Sequence, residues 1–348
     1  MKIFKNSILA LTTLAMTTGG AFAFNKPVTI VDQGSYLSGG VVVEKEGKTL
    51  HGDHAYVFYQ KPVNAHKYGL VFLHGAGMSG KTWETTPDGR DGFQNIFLER
   101  GYSTYIIDQP RRGRAGQSTV AGKYEPAYSD QVWFNIGRLG EWPNKFKGVQ
   151  APMENGAFEQ SNRFFTPNVA DFDAEVITDA IKAVFDKSGD GVFVTHSQGG
   201  GIGWLTAMKS NHVKGIISIE PGSGFIFPEG EVPAEMPSSS PFGNLSATAV
   251  SKADFEKLTK MPILIIYGDN IPEGDKPVPQ WGKDNWRVRL NMARLWVDAV
   301  NRHGGDAKLV HLPKIGIYGN THTPMYDLNN VEIADLMEEW IKEKNLSN

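Results

Sequence analysis

The chain has 348 residues, 40% of them hydrophobic and 21% charged, with a formal net charge of −3, enough apolar material for one large α/β domain or two average ones. Basic and acidic residues are interspersed without a basic patch or an acidic tail, which argues against nucleic acid as a partner. There is no cysteine, which excludes disulfides, a thiol nucleophile and cysteine-ligated metal, and leaves no lipoprotein anchor to expect.

The first residues read as an export signal. Lys2 and Lys5 precede an apolar run from Ile8 to Met16, and Ala21-Phe22-Ala23 has the small-x-small form of a cleavage site. The run is too short to span a bilayer comfortably. The expectation is a signal peptide over residues 1–23, a mature chain from about Phe24, a bacterial periplasmic or secreted location, and no stable membrane insertion. Export also removes ATP from the expected substrates.

Short strand-like runs follow at Val28 to Val31, Val41 to Val43 and Ala55 to Tyr59, separated by glycines and prolines in the manner of an antiparallel edge. His51-Gly52-Asp53-His54 hints at a metal site, but two histidines three apart on a turn read more simply as surface polar residues; no metal is expected. From Tyr68 the rhythm changes. Apolar strands at Leu70 to Leu73, Thr104 to Ile107, Val192 to Val194, Gly215 to Ile219, Ile263 to Ile266 and Lys308 to Leu312 alternate with helical patterns. That alternation predicts a mostly parallel, twisted sheet with helices on both faces.

The helical patterns carry apolar stripes: Phe172, Val176, Ala180 and Val184; then Trp286, Leu290, Ala293, Val297 and Val300, ended by Gly304. The last helix opens with Asn329 and Glu332 at capping-box spacing and buries Ile333, Met337, Trp340 and Ile341. Two stretches resist the pattern. Residues 124–168 are long and aromatic, and residues 224–246 are crowded with proline and serine. Long loops inside a compact domain usually serve function, so the first is expected to be a lid or cap beside the active site.

Residues 75–82, G-A-G-M-S-G-K-T, fit the phosphate-loop pattern at every defined position and follow a strand. A phosphate loop needs a helix beginning at its lysine, yet Pro87-Asp88-Gly89 breaks the chain about one turn later, and His74 has no use in such a loop. A strand followed by His74-Gly75-Ala76-Gly77 fits instead the turn that gives α/β-hydrolases their second oxyanion donor. Residues 108–116, D-Q-P-R-R-G-R-A-G, match the loop after the next strand; their three arginines read as solvated or structural rather than as an anion site.

Residues 191–203, G-V-F-V-T-H-S-Q-G-G-G-I-G, run from a strand through Ser197 into glycines and an apolar helix. That is the geometry of a nucleophile elbow, although Thr195 stands where a glycine is usual. A serine nucleophile needs a histidine, and the histidine a carboxylate. Of the later histidines, His212 lies at the wrong end of the sheet, His303 at a helix C-terminus and His311 within a strand; His322 is in the loop between the last strand and the last helix, where the fold delivers its base. For the acid, Asp269 follows the usual strand a residue or two early, while Glu220 closes an earlier strand at the same edge as Ser197. Spacing favours Glu220 only slightly.

Four stretches together, H-G-A-G-M-S-G-K-T-W-E-T-T-P-D-G-R (74–90), T-H-S-Q-G-G (195–200), S-I-E-P-G (218–222) and G-N-T-H (319–322), run in order across most of the mature chain. In them the chain resembles the bacterial esterases of the esterase 713-like family, within the α/β-hydrolase superfamily. The resemblance implies an α/β-hydrolase fold, Glu220 as the acid, and oxyanion donors at the backbone N–H groups of Ala76 and Gln198. Some relatives carry cysteines in the turn where this chain has Ala76 and Gly77. The expectation is therefore a secreted serine carboxylic-ester hydrolase with Ser197 as nucleophile, His322 as base and no cofactor. A lactonase, amidase or acyltransferase would use the same triad. The expected partner is a small ester; a homodimer is left open.

Overall fold

The structure is a computed structural model and describes residues 27–348; the expected signal peptide, residues 1–23, lies outside the described residues. The chain opens with a long antiparallel hairpin, β1 (Ile30–Lys45) and β2 (Lys48–Pro62), paired from Ile30↔Pro62 to Lys45↔Lys48. The runs read as separate strands at Val28 to Val31 and Val41 to Val43 are thus corrected: Val31 and Val41–Val43 share one strand, which begins only at Ile30. Gly39, which looked like a break, lies inside it at φ +69, where an added Cβ would come within 2.6 Å of the Ala180 backbone. The glycine marks a close approach of strand to helix, not an end.

The remaining elements in chain order are β3 (Gly69–Leu73), α1 (Phe93–Glu99), β4 (Thr104–Asp108), α2 (Asp130–Ile136), the small hairpin β5 (Gly140–Glu141) and β6 (Asn144–Lys145), α3 (Ala157–Asn162), α4 (Ala174–Ser188), β7 (Gly191–His196), α5 (Gly199–Lys209), β8 (Val213–Ile219), the short pair β9 (Ile226–Pro228) and β10 (Thr248–Val250), α6 (Lys252–Phe255), β11 (Pro262–Tyr267), α7 (Trp281–Arg302), β12 (Asp306–His311) and α8 (Asn330–Glu343). Eight strands form one sheet in the order β1-β2-β4-β3-β7-β8-β11-β12. From β4 to β12 every pairing is parallel, as the alternating pattern requires.

Successive strand residues enter opposite faces, and both faces are covered. Val71, Leu73, Phe193, Ile216 and Ile265 pack with α4, α5 and α7 on one side. Leu70, Phe72, Val192, Val194, Ile217 and Ile266 pack with α1 and α8 on the other. Burial on both faces is why these strands read as unbroken apolar runs.

Two helix readings change. Phe172 is 43% exposed and precedes α4, whose N-cap is Asp173, accepting from the Glu175 and Val176 N–H groups; the buried stripe runs instead through Ile177, Ala180, Ile181 and Val184. The capping box at Asn329 does not form. Asn329 sits at the N-cap of α8 without a side-chain cap bond, because its amide is exchanged with that of Asn320 at 2.8 and 3.2 Å. Among the described residues no helix is long and apolar enough to cross a membrane.

Candidate active site

The parallel strands end at one edge of the sheet, and the predicted site residues follow those ends. Ser197 comes directly after β7 and Glu220 directly after β8; the register His196↔Ile219 sets them side by side. Ser197 holds a left-handed φ of +55 and Glu220 one of +51, a conformation that costs of order 1–3 kcal/mol for a non-glycine residue and persists only where its surroundings hold it. Here they do. The Ser197 N–H donates to the Ile219 carbonyl at 3.0 Å, and the Ser197 carbonyl accepts from Gly200 and Gly222 N–H groups at 3.0 and 2.9 Å. Thr195, the departure from the usual elbow pattern, is accommodated by Gly203 of α5. An added Cβ there would lie 3.1 Å from the Thr195 methyl, while the Thr195 hydroxyl donates to Ser218 Oγ at 3.0 Å.

The turn after β3 lies against this elbow. An added Cβ on Gly75 would fall 2.7 Å from Ser197 Cβ, so only glycine admits the approach. Among the described residues neither the Ala76 N–H nor the Gln198 N–H donates to a protein acceptor, and Gln198 is the N-cap of α5, where the helix dipole favours negative charge. The phosphate-loop reading fails on the same segment. No α-helix starts at Lys81; Gly80–Trp83 is a single 3₁₀ turn, and Lys81 Nζ donates to the Thr85 carbonyl at 2.6 Å. Asp108, at the end of β4, accepts from the Gly80 N–H and from Arg114. Asp53 of the candidate metal cluster is paired with Arg111 at 2.8 Å.

His322 and Glu220 meet: His322 Nδ1 lies 3.1 Å from Glu220 Oε2, with both side chains buried. Asp269 does something else. Its Oδ2 accepts from the Gly319 N–H at 2.7 Å and its Oδ1 from the Asn270 N–H at 2.6 Å, so its carboxylate shapes the loop that carries His322 without reaching the imidazole. That loop is anchored further by Asp327, which accepts from the Thr321 N–H and hydroxyl and from the Asn320 amide. The other histidines are engaged elsewhere: His212 with Asp190 and His303 with Glu231, each at 2.8 Å, while His311 is buried in β12.

Two residues of the network carried no sequence signal. Arg138, fully buried at φ +58 just after α2, grips both Glu220 oxygens, Nη1 to Oε2 at 2.8 Å and Nη2 to Oε1 at 2.6 Å. The Gly268 N–H adds a third donor to Glu220. Burial alone would push the Glu220 pKa up, but Arg138 and His322 outweigh it and hold it down at about 2. His196 Nε2–H donates to the His322 carbonyl at 2.8 Å, tying the base loop to the residue before Ser197. Burial drives His196 far below the ordinary histidine range, so it stays neutral. His322 is lowered as well, chiefly by burial, with Glu220 pulling the other way. Ser197 Oγ and His322 share no direct hydrogen bond. Trp286 lies over the His322 ring, centroids 4.0 Å apart, and the point where Gly222 would carry a Cβ is 3.3 Å from Ser197 Oγ and 3.6 Å from Trp286.

Residues 124–168 contribute α2, the β5–β6 hairpin and α3 beside this edge. They supply much of the wall of an apolar cleft that His322 also lines, including Trp133, Phe134, Phe158, Phe164 and Phe165. Phe165 packs against Trp133 in a tilted pair with centroids 5.0 Å apart, and its ring edge lies 3.1 Å from where a Gly77 Cβ would sit, in the turn after β3.

The chain is similar to known proteins over most of its length. The sequence profile of the alpha/beta hydrolase family matches residues 70–336. A probable secreted lipase, phiG, from a fungal species (strain ATCC 74256) is 27% identical over 317 residues, covering 80% of this chain and 82% of the relative. The solved structure of a novel bacterial esterase superposes with a TM-score of 0.74 at 29% identity, over 92% of this chain and 98% of that one.

Proposed function

Because the chain belongs to the alpha/beta hydrolase family and is a carboxylesterase-type hydrolase, we propose that it cleaves carboxylic esters through an acyl-enzyme on Ser197, with His322 as base and Glu220 as acid. The observation that carries this reading is the buried Glu220–His322 hydrogen bond at the sheet edge where the Ser197 elbow and two unengaged backbone N–H groups converge. His322 takes the Ser197 proton as Oγ attacks the acyl carbon, and Glu220 holds the imidazole tautomer and stabilises its charge. The Ala76 and Gln198 N–H groups receive the oxyanion. His322 then protonates the leaving alcohol, and the reverse sequence with water frees the acid. Export is supported by the leader-like residues 1–23 and by the description of the fungal relative as secreted. The direct test is a fluorophosphonate probe followed by peptide mapping: the adduct is expected on Ser197, and an adduct elsewhere, or none, sinks the reading.

The apolar cleft supports an apolar acyl group as the bound part of the substrate, with residues 124–168 acting as a cap. Phe165→Ala is expected to raise the kcat/KM ratio of octanoate over acetate esters by roughly tenfold, the scale of a few methylenes in an apolar pocket, while leaving the chemistry in place. An unchanged ratio across a p-nitrophenyl ester series would remove the cap from the acyl site.

The lowered pKa of His322 has a definite sign in the pH profile. The base must be neutral to act, so activity falls as pH drops through that pKa. The acid limb of kcat/KM is expected below pH 6.5, the ordinary histidine value, with a plateau through neutrality. A limb centred above pH 7 would contradict a buried, neutral His322.

A further inference from the structure

The carbonyl oxygen of Gly75 accepts two hydrogen bonds. One comes from its neighbour, His74 Nδ1–H, at 2.9 Å, and the other from Arg112 Nη1–H at 2.8 Å. Arg112 is 2% exposed, and its Nε–H donates to Asn168 Oδ1 at 2.7 Å. Among the described residues it forms no ion pair; Asp108, the carboxylate of the same loop, is bound to Arg114 and to the Gly80 N–H. Burial lowers the Arg112 pKa to about 10, which still leaves it charged at neutral pH.

A buried cation with no carboxylate paired to it is expensive; Asp108 acts on Arg112 only through space and does not outweigh its burial, and the Gly75 carbonyl already has His74 as a donor. The use of the charge lies on the other side of the peptide bond. The carbonyl that Arg112 contacts belongs to the same amide unit as the Ala76 N–H. A cationic donor on an amide oxygen draws density from the nitrogen and strengthens the N–H as a donor, as in any polarised hydrogen-bond chain. It also sets a fixed, buried positive charge behind the point where an oxyanion develops, and a buried charge is screened less than an exposed one.

We propose that Arg112 is a positioning residue of the oxyanion hole, fixing and polarising the Gly75–Ala76 peptide so that the Ala76 N–H binds the oxyanion formed when Ser197 attacks an ester. The inference rests on the acyl-enzyme reading of Ser197. Its effect belongs to the transition state, not to substrate binding.

The test compares Arg112→Gln, which keeps a neutral N–H donor, with Arg112→Lys, which keeps the charge. The readouts are kcat and KM on a p-nitrophenyl ester and the Ki of a trifluoromethyl ketone, whose hemiketal with Ser197 carries an oxyanion. Arg112→Gln is expected to lose roughly 10- to 100-fold in kcat, with KM within about twofold, below the roughly 10²–10³ of losing a whole donor. Ki should rise by the same factor, and Arg112→Lys should recover part of both. An unchanged kcat, a kcat loss without a matching rise in Ki, or a lysine variant as poor as the glutamine one overturns the proposal. Should Arg112→Gln fail to fold, Asn168→Leu loosens the same guanidinium while leaving its charge. Parallel losses of roughly three- to tenfold in kcat and Ki affinity support the proposal on that scale; a loss in kcat alone overturns it. A wild-type protein that takes no probe at Ser197 would instead defeat the acyl-enzyme reading itself.

Discussion

Ser197→Ala is expected to lower kcat by roughly 10⁶-fold with KM little changed, the scale seen when the nucleophile of a serine hydrolase triad is deleted. The substitution removes one half-buried hydroxyl and keeps a Cβ, so it opens no cavity. Alanine meets the same left-handed φ of +55 as serine, held by the same three backbone hydrogen bonds to Ile219, Gly200 and Gly222. The protein should therefore stay folded with its cleft intact. What remains is acceleration from the backbone donors and from binding, roughly 10³–10⁴ over water. Matched thermal melts and burst-free kinetics on one ester check the prediction. A variant retaining more than roughly a thousandth of wild-type kcat would mean that another nucleophile carries the chemistry.

What the sequence discloses about this site divides by distance along the chain. The elbow and the His74–Gly77 turn are local: strand, nucleophile or turn, and small residues follow one another within a dozen positions. The central strands are legible for the same reason, because burial on both faces makes each an apolar run. The β1–β2 hairpin is not. Much of β1 faces solvent, Val41, Val42 and Val43 included, so no burial pattern marks its length, and glycines used for close approach resemble breaks.

Arg138 and Arg112 are illegible for a different reason. Their meaning lies in partners 82 and 37 residues away, Glu220 and the Gly75 carbonyl, and no spacing rule links an arginine to such a partner. The acid is an intermediate case. Glu220 and Asp269 end adjacent parallel strands, since β8 pairs β11 with Ile219 opposite Ile266, so both reach the same edge. Backbone direction separates them: Glu220, turned at φ +51, meets His322, whereas Asp269 is bound to Asn270 and Gly319. Asn329 shows the reverse error, a local capping pattern overridden by a tertiary partner, Asn320.

Glu220→Gln should lower kcat by roughly 10⁴-fold, the loss that follows when a triad carboxylate becomes an amide and the imidazole takes the wrong tautomer. The arrangement around Glu220 makes the effect severe. Both carboxylate oxygens are occupied by Arg138, with His322 and Gly268 as further donors. A glutamine offers one acceptor and turns its NH₂ toward groups that are themselves donors, so one face of the site is left in conflict. It also strands the buried Arg138 charge, a defect worth about 3–5 kcal/mol of stability, so a lowered melting temperature should accompany the lost activity. The stability loss has to be separated from the chemistry, and Asp269→Asn does that. Asparagine can still accept from the backbone N–H groups of Gly319 or Asn270, so the loop keeps part of its support and kcat should stay within about tenfold of wild type, since no carboxylate in contact with His322 has been removed. Measuring kcat below each variant's own melting transition removes the contribution of unfolded protein. If Asp269→Asn collapsed kcat and Glu220→Gln did not, Glu220 would be a structural counter-ion for Arg138 and the acid would have to be reassigned to Asp269.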